Sequence, residues 1–185
     1  HLPHDRVTAL VQHPAIKAVG FTGSRKVGMM LFHAGLQREE PIPVYAEMSA
    51  INPVIILEGA LKSNADQIAA GLIGSMTAGV GQFCTNPGLI LLKEDQATKH
   101  FLELLSGRIA ASVPGTMLNR SICQAYALGI KAIQKEKGIA VLAKASKHAT
   151  DERNEAQPIA FVTSARNFLE NPRLSQEIFG PASLI

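Results

Sequence analysis

The chain of 185 residues contains 46% hydrophobic and 18% charged residues, a composition typical of globular proteins and not of disordered or membrane-spanning ones. A formal net charge of +3 and an aromatic content of 5% argue against a basic, aromatic-rich surface for nucleic acid. Two cysteines are too few for a disulfide scaffold and lack metal-ligand spacing, which favours a reducing compartment such as the cytoplasm.

The first part of the chain alternates strand and helix patterns. The apolar run AIKAVGF (15–21) predicts a buried strand, and Ser24 is the expected N-cap of the helix that follows. PIPVYAEM (41–48) predicts an extended segment. The β-branched run NPVIILEG (52–59) predicts a second strand.

A second helix pattern leads to the first cysteine. Asn64 is expected to begin this helix, whose apolar residues recur at helical spacing. Gly79 and Gly81 are expected to end it. Cys84 should therefore lie in a loop or turn beyond the helix.

The second half continues the alternation. Strands are predicted at 88–93, 139–145 and 158–165, and helices at 101–109 and 121–138. Gly138 is the expected C-cap of the later helix, and the polar stretch 146–157 predicts a surface loop. Strands that alternate with helices predict an α/β layered fold with a largely parallel sheet.

Cys84 stands in the polar stretch GQFCTNPG (81–88). One interpretation is a nucleophile at a turn, where backbone N–H groups point at the group that the thiolate attacks. The other is a small buried apolar residue, which most free cysteines are. The polar neighbours Gln82, Thr85 and Asn86 argue against simple core packing.

Three further motifs contain candidate functional residues. Glu47 lies between strand-like segments and is either a general base or a solvated acid at a turn. FTGSRKVG (21–28) opens a helix with Gly23 and Ser24, which suits a phosphate group or a simple structural cap. In EIFGP, Glu177 either accepts hydrogen bonds from sugar hydroxyls or is a solvated loop acid.

The combination and order of these motifs resemble the aldehyde dehydrogenase superfamily. FTGSRKVG comes first, then AEMSAINP with Glu47, then GQFCTNPG with Cys84, and finally EIFGP. The longer stretch HPAIKAVGFTGS strengthens the resemblance, which extends over residues 13–181. Among the branches of the family, the chain looks most like the 2-oxoglutarate semialdehyde and NADP-linked fatty aldehyde dehydrogenases.

The resemblance implies a role for each candidate. Cys84 would be the nucleophile, Glu47 the general base, and the N–H of Cys84 half of an oxyanion hole. Ser24 and Gly23 would contact the pyrophosphate of NAD or NADP. Glu177 would bind the nicotinamide ribose, and Phe179 would lie beside the nicotinamide. The substrate would be an aldehyde. Cysteine spacing, net charge and the strand-sized apolar stretches separately lead us to expect no metal, nucleic acid or membrane.

The same resemblance implies a three-layer catalytic domain at 47–185 and, at 1–46, the end of a Rossmann-like cofactor domain. The chain lacks an initial Met and ends where a strand is predicted to begin, so we expect a fragment that is inactive alone. The full-length protein would form dimers or tetramers. Ser49 and Ala50 replace the glycines usual after the glutamate motif and would sit near the nicotinamide end.

Two alternatives remain from the sequence alone. A cysteine hydrolase would pair Cys84 with a histidine, and the chain offers six: His1, His4, His13, His33, His100 and His148. None lies in a motif that resembles a catalytic histidine. The other alternative is a non-catalytic module, although the joint presence of Cys84 and Glu47 argues against it. Cys123 is predicted to be structural, on a helix.

Overall fold

The computed structural model describes residues 4–185, so His1 lies outside the described residues. The chain divides into two compact units, His1–Ala50 and Ile51–Ile185. The assignment of these units to a cofactor domain and a catalytic domain remains a prediction. The first unit contains α1 (His4–Gln12), β1 (Val19–Thr22), α2 (Arg25–Leu36) and β2 (Val44–Glu47).

In the first unit, β1 and β2 form a parallel pair that ends with Thr22 opposite Glu47. Helix α2 begins after Ser24 as predicted, because the Ser24 hydroxyl accepts a hydrogen bond from the N–H of Val27 at 3.4 Å. Leu31 and Ala34 lie three positions apart on one face of α2 and pack in a small apolar core with α1.

The second unit has eleven helices and strands within the described residues. They are β3 (Pro53–Ile56), α3 (Glu58–Thr77), β4 (Leu89–Leu92), α4 (Gln96–Ala111), β5 (Gly115–Thr116), α5 (Arg120–Ile133), β6 (Ala140–Lys144), β7 (Glu155–Ala156), β8 (Ile159–Val162), α6 (Ala165–Glu170) and β9 (Ala182–Leu184). Three 3-10 turns accompany them, at Ala78–Gly81, Asp151–Arg153 and Pro172–Ser175.

The central sheet of this unit has the strand order β3-β4-β9-β8-β6. The first three pairings are parallel, and only β6 runs antiparallel to its neighbour β8. Strands β5 and β7 form a separate antiparallel pair. The prediction of an α/β fold with a largely parallel sheet is confirmed, and the sheet is mixed because of β6.

Successive side chains along the strands point to opposite faces of the sheet and pack in two separate apolar cores. Ile90 and Ala160 face a core shared with Phe101 and Leu105 of α4. Their strand neighbours, including Phe161, face the opposite core with α5. The sheet is therefore covered by helices on both faces, which explains why its strands read as continuous apolar runs.

Three predictions about individual elements need correction. Helix α3 begins at Glu58, upstream of the predicted start. Asn64 lies at a kink, with φ −143° and ψ 30°, where two helical segments join, so the prediction located the second segment and missed the first. Helix α5 ends at Ile133, so Gly138 is not its C-cap but adopts φ 75° in the turn before β6. The predicted loop 146–157 contains a 3-10 turn and strand β7. No helix within residues 4–185 is long and apolar enough to cross a membrane.

Candidate active site

The amino ends of three neighbouring parallel strands bring the candidate residues of the second unit together. Strands β3, β4 and β9 lie side by side and run in the same direction. The segments that precede them therefore meet at one edge of the sheet. These segments are Asn52, residues 81–88 (the thiol loop) and residues 177–181 (the Gly-Pro turn).

Cys84 lies in a tight turn of the thiol loop and is exposed. The turn is closed by a hydrogen bond of 3.1 Å from the N–H of Asn86 to the carbonyl oxygen of Phe83. Within the described residues, neither the thiol nor the N–H of Cys84 has a hydrogen-bond partner. Cys84 thus offers a nucleophile and a free donor at the same residue.

The side chain of Asn52 stabilises this turn by hydrogen bonding. Its side-chain amide donates hydrogen bonds to the carbonyl oxygens of Cys84 at 2.7 Å and Asn86 at 3.0 Å. Asn52 has no predicted role in the sequence patterns described above. A signal was present, since Asn52 and Asn86 both precede a proline, and Asn-Pro dipeptides favour turns.

The thiol loop is fastened to the Gly-Pro turn. The Asn86 amide donates to the carbonyl oxygen of Gly180 at 3.1 Å, and the Ser183 hydroxyl donates to that of Pro87 at 2.6 Å. The structure thereby joins the loop of Cys84 to the segment that contains Glu177, which is half-buried, and Phe179, whose side chain is 37% exposed.

The chain reaches the thiol loop through a left-handed stretch. Gly79, Val80 and Gly81 have φ values of 53°, 59° and 66°. This conformation is strained for the β-branched Val80, and such strain concentrates at functional sites. The Gln82 side chain braces the stretch, because its amide donates to Gly79 O at 2.9 Å while its oxygen accepts from Leu118 N at 2.9 Å.

Gly81 cannot be replaced without disturbing this arrangement. A Cβ on Gly81 would lie 2.3 Å from the carbonyl carbon of Gly180, and its φ is positive. We expect Gly81→Ala to destabilise the full-length protein by about 3 kcal/mol or more, because backbone strain and a backbone clash act together. Chemical denaturation measures the change.

The matched control is Gly74→Ala on α3, where a Cβ would meet no atom within 4 Å. We expect that variant to be as stable as the wild type or more stable by up to about 1 kcal/mol, because alanine favours helices. Equal stability of the Gly81→Ala variant and the wild type would contradict the close approach of the two segments.

Cys123 is a poorer candidate for the nucleophile than Cys84. It is buried on α5, where its thiol donates a weak hydrogen bond to the carbonyl oxygen of Glu155 at 3.5 Å. Burial, and secondarily the negative charge of Asp151, raise the pKa of the Cys123 thiol. The structural interpretation of Cys123 agrees with this environment.

In the first unit, the carboxyl ends of β1 and β2 bring together Glu47, Gly23 and Ser24. Glu47 is exposed at the end of β2, and its carbonyl oxygen accepts a hydrogen bond of 3.0 Å from the N–H of Gly23. Ligands of open α/β sheets bind at this end of parallel strands. The arrangement places an exposed carboxylate next to the beginning of α2.

The beginning of α2 fits an anionic group such as a pyrophosphate. The exposed Arg25 and Lys26 stand at the positive end of the helix, and its first turn has no acidic residue. Cations are unfavourable there, so an anion would relieve their repulsion with the helix dipole. The Ser49 hydroxyl accepts a long hydrogen bond of 3.4 Å from the Arg25 N–H, which places this side chain at the same helix end.

Comparisons with known proteins agree with this arrangement of motifs. The sequence model of the aldehyde dehydrogenase family matches residues 3–185. Alpha-ketoglutaric semialdehyde dehydrogenase 2 of Azospirillum brasilense is 44% identical over 96% of the chain, and the Acinetobacter baylyi alpha-ketoglutaric semialdehyde dehydrogenase is 40% identical over 95%. The chain spans about a third of the length of these relatives, 33% in each case.

The fold also matches solved structures. A 1-pyrroline-5-carboxylate dehydrogenase from Thermus, solved with bound NAD, superposes with a TM-score of 0.75 at 22% identity. The superposition covers 97% of this chain and 36% of the Thermus chain. At this identity the similarity establishes the fold.

Proposed function

The chain belongs to the aldehyde dehydrogenase family, and from this premise we propose that it supplies the thiol of an enzyme that oxidises an aldehyde to a carboxylic acid. The observation that carries the proposal is the exposed Cys84 with its free N–H, on a turn held by Asn52. Because the chain spans only a third of its relatives, the activity is proposed for the full-length protein.

In the proposed reaction, the Cys84 thiolate adds to the carbonyl carbon of the aldehyde, and the N–H of Cys84 donates to the oxygen that becomes negative. When bound at the residues named below, NAD(P)⁺ would supply the acceptor for the hydride that leaves this carbon. The product on Cys84 is a thioester. Glu47 takes a proton from water, the water oxygen attacks the thioester carbon, and the acid leaves as Cys84 returns to the thiolate.

The dinucleotide would be held at two places in the chain. Gly23 and Ser24, at the beginning of α2, would bind the pyrophosphate. Glu177 would accept hydrogen bonds from the nicotinamide ribose, and Phe179 would lie beside the nicotinamide. The lack of acidic residues in the first turn of α2 and the exposure of the Phe179 ring support these assignments. Either NAD or NADP suits them.

The substrate class that we propose is a semialdehyde of a dicarboxylic acid, such as 2-oxoglutarate semialdehyde. The support is the identity of 44% and 40% to two alpha-ketoglutaric semialdehyde dehydrogenases. A fatty aldehyde is the other candidate. The test is an assay of the full-length protein with a panel of aldehydes of both kinds, following reduced nicotinamide. Ester cleavage without any aldehyde oxidation would contradict the proposal and favour a cysteine hydrolase.

The domain roles follow from the same proposal. Residues 1–46 would be the end of the cofactor domain and residues 47–185 part of the catalytic domain. We also propose that the full-length protein is a cytoplasmic dimer or tetramer. Two free cysteines without a disulfide support a reducing compartment. Sedimentation of the purified protein measures the assembly.

Ser24 tests the proposed pyrophosphate site. We expect Ser24→Ala to raise the Kd for NAD or NADP about tenfold, because a hydrogen bond to a charged group is lost. Calorimetric titration of each dinucleotide into the full-length protein measures the change and distinguishes NAD from NADP. The matched control is Ser164→Ala, which removes the corresponding cap from α6. An unchanged Kd in Ser24→Ala would refute this assignment.

A further inference from the structure

The geometry of the thiol loop fixes both peptide planes that flank Cys84. Each peptide unit is planar and trans, so its N–H points away from its C=O. The Phe83 carbonyl belongs to the same plane as the Cys84 N–H, and it accepts the N–H of Asn86 at 3.1 Å. This bond directs the Cys84 N–H out of the turn.

The second plane is fixed by Asn52. Its amide donates to the Cys84 carbonyl at 2.7 Å and, from the same nitrogen, to the Asn86 carbonyl at 3.0 Å. With both planes held, φ and ψ of Cys84 are set, and with them the direction of the Cα–Cβ bond that carries the thiol. Asn52 itself lies immediately before β3, a rigid support.

Asn86 anchors the turn to a different strand. Its side-chain nitrogen donates to the carbonyl oxygens of Gly180 at 3.1 Å and Ala182 at 3.5 Å, at the beginning of β9. The side-chain oxygen of Asn86 is buried without a hydrogen-bond partner among the described residues. A polar atom left in this state costs free energy, which offsets part of what the hydrogen bonds of the amide nitrogen contribute.

We propose that Asn52 and Asn86 are positioning residues that hold the N–H of Cys84 and its thiol in the mutual orientation that attack on a carbonyl requires. The inference rests on the proposed role of Cys84 as the nucleophile. It predicts that the two asparagines matter for reactions at a carbonyl, which need the N–H, and matter little for reactions that need the thiol alone.

Two cofactor-free reactions of the full-length protein separate these requirements. Acylation of Cys84 by p-nitrophenyl acetate passes through an oxyanion, whereas alkylation by iodoacetamide does not. We expect Asn52→Ala and Asn86→Ala to slow acylation about tenfold or more, by analogy with the effect of misplacing a catalytic group. Alkylation of Cys84, followed by mass spectrometry of its peptide, is expected to change less than about threefold.

Asn167→Ala is the matched control. Asn167 is also half-buried in the second unit, and its amide also donates to two oxygens, Lys137 O at 2.9 Å and Thr163 Oγ1 at 2.8 Å. We expect both rates to stay close to those of the wild type in this variant. Should Asn52→Ala or Asn86→Ala not be recovered folded, Asn52→Ser and Asn86→Ser provide milder versions of the same test.

The outcomes are distinct. A wild-type ratio of acylation to alkylation in the Asn52 and Asn86 variants would overturn the positioning role, as would an equal change of that ratio in Asn167→Ala. Loss of folding in every Asn52 and Asn86 variant would also overturn it, because the asparagines would then serve stability. A wild-type protein that neither acylates at Cys84 nor oxidises any aldehyde would instead overturn the proposed function, and the inference with it.

Discussion

Replacing Cys84 by alanine is expected to lower kcat for aldehyde oxidation by at least about ten-thousandfold, the order of loss seen when a covalent nucleophile is removed. The methyl group of alanine cannot add to a carbonyl, so neither the covalent adduct nor the thioester can form. Cys84 is exposed and its side chain has no hydrogen-bond partner among the described residues, so its removal should leave the fold intact.

The measurement compares steady-state production of reduced nicotinamide by the full-length wild type and the Cys84→Ala variant. Cys123→Ala is the matched control, because it makes the same substitution at the buried cysteine of α5. We expect the control to retain kcat within about twofold and to lose some stability through the small cavity it creates. Comparable losses of kcat in the two variants would contradict the assignment of Cys84.

Thiol labelling provides an independent check on the same residue. Iodoacetamide should modify Cys84 before Cys123, since Cys84 is exposed and burial raises the pKa of the Cys123 thiol. Preincubation with the reagent should then abolish aldehyde oxidation in the wild type and in Cys123→Ala alike. Retention of activity after complete modification of Cys84 would show that another group attacks the aldehyde.

Local sequence signals predicted the longer helices and the central strands, but not α1 or the short α6. Ser24 illustrates this, because a serine at the start of an apolar helix pattern has one favoured role. Asn64 shows the limit. Its non-helical φ and ψ mark the start of a second helical segment, as expected for an asparagine, but α3 also continues upstream to Glu58, where Leu61 is buried and tertiary packing outweighs the local preference.

The sequence nominates the candidate reactive residues, whose roles stay predictions, but not the side chains that support them. Cys84 and Glu47 stand out because their residue types match a covalent reaction and its hydrolysis. Asn52 acquires its role only when β3 and β4 pair in parallel and bring it against the thiol loop. The left-handed conformation of Val80 was equally unpredictable from the sequence, because β-branched residues rarely adopt positive φ.

Glu47 provides the second large expected effect. We expect Glu47→Gln to slow turnover by about a hundredfold to a thousandfold, because a neutral amide cannot take the proton from the attacking water. The first turnover should survive, since thiol addition and loss of hydride precede that step. Rapid mixing of the full-length variant with an aldehyde and NAD(P)⁺ should show a burst of about one reduced nicotinamide per active site. A slow steady state should follow, because hydrolysis of the thioester limits every later turnover.

The accumulated species should be a thioester on Cys84, detectable as the mass of the acylated peptide. Hydroxylamine, a nucleophile that needs no general base, should restore turnover of Glu47→Gln. Glu40→Gln is the matched control, because Glu40 is another exposed glutamate of the first unit, and it should behave as the wild type. Loss of the burst itself would show that Glu47 acts before or during thioester formation. Unchanged steady-state turnover would show that Glu47 takes no part in the reaction. Since Cys84→Ala should eliminate the burst and Glu47→Gln should preserve it, the pair of variants separates formation of the thioester from its hydrolysis.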